Sequence, residues 1–235
     1  MSAYLVVDAS CDLPATYIKK NRVGILPVHV SIAGREIIDN KNEDALRQFY
    51  QDDLLSLDIK ARTKPWTSSQ ISEYILNDVV SEHRSLLIET VAKSRSAIFE
   101  NAYSASHTVT QNYRNYQEGD DRFSMRVMDS GSMFAGMGVL VMHTNKLIQN
   151  GHTISQLRKE LEGFKEQLWV YAIPKDVKHL RARVKQRGDN SVSWLAANVV
   201  NILDIAPVIC GHDGDTYPVG KIKGFNNAVN KLVIA

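Results

Sequence analysis

Cysteine is scarce: Cys11 and Cys210 are the two in 235 residues, and they lie far apart. That excludes a disulfide scaffold, and no CxxC or Cys/His zinc spacing is present. Charge of one sign is also lacking. A formal net charge of +2 gives no strong field for nucleic acid or an anionic membrane. The most basic stretch, LRARVKQR (180–187), is short and reads as a solvated helix face that could also touch phosphates or carboxylates. No apolar run approaches membrane-spanning length. The amino terminus, MSAYLVVDAS, reaches Asp8 too soon for a signal peptide. We therefore expect a cytoplasmic protein with no membrane span and no nucleic-acid partner. No GxSxG elbow, Walker A loop or GxGxxG turn occurs, so no serine nucleophile or nucleotide loop of those kinds is written in the chain. No metal or cofactor is expected.

What is present is an alternation of short β-rich runs with helical patterns, which predicts an α/β fold. AYLVV (3–7) reads as a strand and PATYIKKN (14–21) as a helix, with Asp12 as its N-cap. VGILPVHVSI followed by AGREII reads as a hairpin turning at Ala33-Gly34. EDALRQFYQDDLL (43–55) has helical spacing, and TSSQISEYILNDVV (67–80) opens on a capping box, Thr67 with Gln70. RSLLIETVA (84–92) and FSMRVMDSG (123–131) read as buried strands. Helices are predicted at 96–113, 133–150 and 154–167. A composition change follows. LWVYAI, APVIC and VGKIKG are strand-like, with a last helix at FNNAVNKLVIA. The lobes are set at 1–155, a mostly parallel sheet flanked by helices, and 156–235, a smaller α/β lobe.

Three predicted strands end alike, in Asp8-Ala9-Ser10, Ala92-Lys93-Ser94 and Asp129-Ser130-Gly131. In a parallel sheet such ends share one edge, where open α/β sheets bind ligands. The acids are read as shaping the loops, because a carboxylate beside a bound anion would repel it. The neighbouring hydroxyls, Ser10 and Ser130 among them, are read as facing what binds. Cys11 reads as a small buried residue rather than a nucleophile. His212, Asp213 and Asp215 fit a hairpin turn on Asp-Gly better than a metal site. His29 reads as a packed or edge histidine. Trp66 either covers a pocket mouth or packs locally.

Six segments, in order, resemble the DegV family. They are VVDASCDLP, ILPVHVSIAG, RTKPWTSSQISEYI, AKSRSAIFENA, VMDSGSMFAGMGVLV and ILDIAPVICGHDGDTYPVGKIKG. The fifth and sixth, similar to V-x-D-S-x-x-x-x-x-G-x-G and to a G-x-x-x-P-x-x-K-x-R-G segment, are the most specific. The resemblance implies a two-lobed α/β protein that holds a long-chain fatty acid, its carboxylate between the lobes and its tail in an apolar tunnel. It implies a carrier, not a catalyst, that presents the lipid to a separate fatty acid kinase. Carried over by position, Thr63 matches the family's carboxylate-binding threonine. Lys93 falls where the family has a serine donor, with Ser94 and Ser96 nearby as alternatives. Arg183 or Lys185 stands where the family has an arginine.

The departures matter as much. Lys93 replaces a neutral donor by a point charge. HLRARVKQR lacks the family's glycines, and the chain stops at Ala235, before the usual His-x-Gly-Pro-Gly. Either the form is truncated or its second lobe is smaller with an altered pocket. Dimerisation would cover a sheet edge left open by the shortening. Two other readings follow: an enzyme or sensor for a small phosphorylated or carboxylated metabolite, and an interaction module that has lost its ligand.

Overall fold

The protein is described here from a computed structural model covering residues 3–52, 61–117, 119, 121–177, 180 and 204–234. In chain order the elements are β1 (Tyr4–Asp8), α1 (Ala15–Lys20), β2 (Gly24–Leu26), β3 (Val28–Ile32), β4 (Arg35–Asp39) and α2 (Glu43–Gln51). Next come β5 (Ala61–Pro65), α3 (Ser68–Tyr74) with a π-helical turn at Ile75–Val79, β6 (Ser85–Thr90), α4 (Ile98–Asn112) and β7 (Ser124–Asp129). The remainder are α5 (Phe134–Gln149), α6 (Ile154–Lys165), β8 (Val170–Ala172), β9 (Ile205–His212), β10 (Asp215–Lys223) and α7 (Phe225–Ile234).

The chain divides into two compact units, Met1–Leu168 and Trp169–Ala235. The division falls after α6 rather than near 155. Leu157 and Leu161 are wholly buried in the core of the first unit, and Lys165 donates to the Asp129 carbonyl at 3.2 Å. An amphipathic helix goes with whichever surface buries its apolar stripe.

The first unit is built on a four-stranded parallel sheet in the order β2-β1-β6-β7. Val6, Val7, Leu86, Leu87 and Ile88 are enclosed, as expected of strands covered on both faces. The chain crosses from one side of β1 to the other between β2 and β6, so the topological switch point lies between β1 and β6. Asp8 pairs with Leu26, and Thr90 pairs with Asp129. With Val7 opposite Glu89, the carboxyl ends of all four strands fall in one row.

A second, antiparallel sheet has the order β4-β3-β5. The expected hairpin forms, with Ala33 and Gly34 at φ of 52° and 75°. The run before it divides at Pro27, β2 joining the parallel sheet and β3 the antiparallel one. The strand β5, pairing with β3 over Ala61–Pro65, was not expected. The helix α1 also departs from expectation. Its N-cap is Pro14, with no side-chain cap, and Asp12 instead donates its amide to the Phe134 carbonyl at 3.2 Å. The capping box at Thr67 forms, and a second one caps α6 at Thr153.

The second unit carries a three-stranded antiparallel sheet, β10-β9-β8, with α7 packed against β9 and β10. Asp213 and Gly214, at φ of 46° and 81°, make the β9–β10 turn and pair His212 with Asp215. His212 stacks on Trp169 at 3.8 Å. Among the described residues no cluster suits a metal ion, and no helix is long and apolar enough to cross a membrane.

Candidate functional site

Three loops leave the carboxyl edge of the parallel sheet, after β1, β6 and β7, and side chains from the strand ends tie them together. Asp8 is almost fully enclosed. Its Oδ1 accepts from the Ser10 amide at 2.8 Å and from the Ser10 hydroxyl, and its Oδ2 accepts from the Val91 amide at 2.5 Å. Burial pushes the Asp8 carboxyl above its ordinary range, against the pull of those donors. Asp129 does the same work one strand on from β6. Its Oδ1 accepts from the amides of Lys93 at 3.1 Å and Gly131 at 2.9 Å. The Ala92 amide donates to the Ser132 carbonyl at 2.9 Å. The β6 loop is thus bonded to both neighbours, and both acids shape loops.

The hydroxyls divide into two groups. Ser10 gives its proton to Asp8. Ser130 is wholly buried, donating to the Ser132 carbonyl and accepting from the Ser132 amide, both at 3.1 Å. Ser96 accepts from the Ile98 amide at 3.2 Å at the start of α4. These three hydroxyls hold the loops. Lys93 and Ser94 are exposed in the turn of the β6 loop. Cys11 is fully buried, and burial pushes its thiol up to about 12, far from a reactive thiolate.

Thr63 lies on the other sheet, exposed on β5 opposite Val30, which on its other side faces Ile37. Directly paired residues point to one face. On that face Val30 and Ile37, with Ala45, Leu46, Phe49 and Tyr50 of α2, line an apolar groove of about 220 Å³. The carbonyl of Trp66, just past β5, accepts from Asn101 of α4 at 2.7 Å. Trp66 is half-buried, with its ring edge-on to Tyr74, so it packs locally. His29 is half-buried within β3. Arg183 and Lys185 lie outside the described residues.

Two residues escaped the sequence reading. The first is Lys41, in the turn after β4, whose amide donates to Asp39 Oδ1 at 3.1 Å. Its positive charge offsets part of the effect of burial at both Asp8 and Cys11, which places it near the carboxyl edge. Within DNKNED it reads as ordinary loop. The second is Glu89, fully buried inside β6. Its Oε1 accepts from the Thr144 hydroxyl of α5, while its Oε2 has no hydrogen-bond partner. Burial raises its pKa to about 7. The signal for it was an acid inside the apolar run SLLIETVA.

The arrangement offers a polar edge at the switch point, with an exposed lysine and an exposed serine. The family model described as "Uncharacterised protein, DegV family" matches residues 2–234. The chain belongs to the DegV family. A DegV domain-containing protein of Xanthomonas axonopodis pv. citri is 33% identical over 231 residues, 97% of this chain and 74% of that protein. Among solved DegV-like structures, a stearic acid-binding protein from Eubacterium ventriosum superposes with a TM-score of 0.78 at 18% identity, over 99% of this chain and 74% of that one. The Streptococcus pneumoniae fatty acid kinase (Fak) B3 protein, loaded with linoleic acid, superposes with a TM-score of 0.72 at 17% identity, over 100% of this chain and 79% of that one. At these identities the two structures establish the DegV fold, and the lipids named are theirs.

Proposed function

We propose that this DegV-family chain binds a long-chain fatty acid as a carrier and presents its carboxylate to a separate kinase, which makes an acyl phosphate. The observation that carries the reading is the switch-point edge, where three loops are bonded into one polar rim with Lys93 and Ser94 at its exposed tip. A carboxylate there meets the Lys93 cation beside the Ser94 hydroxyl, and charge-assisted hydrogen bonds are the stronger ones. The acids of the rim turn their oxygens inward to Ser10, Val91, Lys93 and Gly131, so their charge is directed away from the ligand. Thr63, opposite Val30 on the face that bears the apolar groove, is assigned to the head group by its place in the family motif. The fatty acids bound by the Eubacterium and Streptococcus proteins support the ligand class, and the kinase named for the latter supports the partner. The reading gives no residue a catalytic role.

Native mass spectrometry of the protein purified from cells, followed by denaturing lipid analysis, tests it. The expected result is one fatty acid per chain. A bare protein that also fails to bind fatty acid in titration overturns the reading. Lys93→Ala is expected to weaken binding about tenfold, in line with the loss of one charge-assisted bond.

A second reading has its own observation. Two lysines, Lys93 and Lys41, stand at or near this rim, and cations of that kind also suit a small phosphorylated or carboxylated metabolite. An enzyme or sensor for such a ligand would be recognised by turnover or saturable binding of a phosphomonoester that Lys93→Ala abolishes.

A further inference from the structure

We infer that Phe134 is a specificity residue of the carboxyl edge, its exposed ring supplying the apolar wall against which the ligand's hydrocarbon chain lies. The inference rests on the fatty-acid reading above. Phe134 opens α5 with φ at 50°, in the left-handed region that bulky side chains avoid. Of the five other non-glycine residues that the described chain places in that region, the four besides Asp204 have evident local reasons. Ala33 and Asp213 each precede a glycine in a hairpin turn, Arg22 follows the end of α1, and the amide of Lys41 is held by Asp39. Phe134 belongs to no hairpin turn, being itself the first residue of the 16-residue α5.

The conformation is imposed from outside. The Phe134 carbonyl accepts from the Asp12 amide at 3.2 Å, and Phe134 forms an isolated parallel bridge with Cys11. One turn on, the helix is pressed against the same loop, where a Cβ at Gly138 would lie 2.9 Å from the Asp12 carbonyl. Glycine or asparagine would meet that backbone demand at lower cost. A phenylalanine stands there instead with 55% of its surface exposed, outside the buried core cluster. Core packing therefore does not account for the ring. Strained residues of this sort collect at ligand sites.

The position fits that role. Phe134 is joined through Cys11 and Asp12 to the loop carrying Ser10, and it follows the loop carrying Ser130 by a few residues. The rim is otherwise polar at its exposed surface, with Lys93 and Ser94. An amphiphile bound by its head at such a rim needs an apolar surface beside it, and an exposed aromatic ring provides one.

The test compares hexadecanoate and octanoate binding by the wild type, Phe134→Gly, Phe134→Asn and Phe134→Leu, each with its thermal midpoint. The expected result is that Phe134→Gly and Phe134→Asn bind hexadecanoate about tenfold more weakly, as loss of apolar contact predicts. Their midpoints should be unchanged or higher, because the left-handed strain is relieved. Phe134→Leu should stay within about twofold of the wild type, since the apolar bulk is kept. Octanoate binding should change less than hexadecanoate binding. A wild type that binds neither acid overturns the fatty-acid reading and this inference with it. A wild type that binds hexadecanoate while Phe134→Gly binds it equally well overturns this inference alone. If Phe134→Gly fails to fold, the Phe134→Asn and Phe134→Leu pair decides by the same criteria, and equal affinity in that pair overturns the assignment.

Discussion

Asp8 at the end of β1 and Glu89 inside β6 are buried acids on adjacent strands, one row apart. Both oxygens of Asp8 are taken up by donors from two loops. Glu89 has one donor, the Thr144 hydroxyl, and a second oxygen with no partner. Enclosure raises the pKa of each, yet the consequences differ. The acid at the edge works as a staple between loops. The acid one row back is held toward its protonated form, because a lone hydroxyl does not compensate a carboxylate for lost water.

The largest effect is expected from cutting the staple. Asp8→Ala leaves the amides of Ser10 and Val91 without their acceptor, at a cost of about 4 kcal/mol in denaturant unfolding. Asp8→Asn, which keeps one acceptor oxygen, should lose roughly half of that. A loss below about 1 kcal/mol for Asp8→Ala would remove the distinction between the two acids.

Next comes the proton at Glu89. Its pKa is raised to about 7 in the fold, above its ordinary value of 4.5. The unfolded chain therefore releases this proton first as pH rises. The associated stability is fully present below pH 4.5 and is lost as pH rises through about 7. Across that window Glu89 alone removes roughly 3 kcal/mol. In Glu89→Gln this part of the pH dependence should vanish, so wild type minus variant falls from pH 5 to pH 8. A flat difference would mean that Glu89 is ionised in the fold at every pH tested.

A smaller effect is expected at Thr144. Thr144→Val removes the donor that favours the charged form of Glu89 and should push its pKa up further. The stability loss should be about 1 kcal/mol at pH 8 and less at pH 5. Lys41→Met is the mildest. It removes a charge that favours ionised Asp8, and should cost under about 0.5 kcal/mol at low salt and less at high salt.

The same pair marks how far the sequence could be read. Strands β1 and β6 announce themselves as continuous apolar runs, because parallel strands covered on both faces have no polar side to show. The Ala33-Gly34 and Asp213-Gly214 turns and the Thr67 capping box rest on local chemistry, and they form as read. The loops at the strand ends were legible as a group through their acids and small polar residues. Which hydroxyls are consumed within the rim was not, because the bonds of Ser10, Ser130 and Ser96 depend on loop conformation rather than residue type. Lys41, in a turn outside the parallel sheet, acts on Asp8 only through its charge, so nothing in its local sequence points there. β5 was missed because Arg62, Thr63 and Lys64 are exposed and polar, and only pairing with β3 makes them a strand. Cutting the chain near 155 missed that the apolar stripe of α6 belongs to the first unit.

The bond between Asn101 and the Trp66 carbonyl has a bearing on chemistry that its plain geometry conceals. β5 is an edge strand without an apolar face, and such strands slip in register more readily than those with one side buried. A slip of one residue would bring Arg62 or Lys64 opposite Val30 in place of Thr63, exchanging a neutral hydroxyl for a cation beside the groove. Asn101 sits in the first turn of α4, and α4 begins where the loop carrying Lys93 ends. One amide on one helix thus indexes the strand that bears Thr63 against the loop that bears Lys93, so the two parts of the head-group assignment keep step with each other.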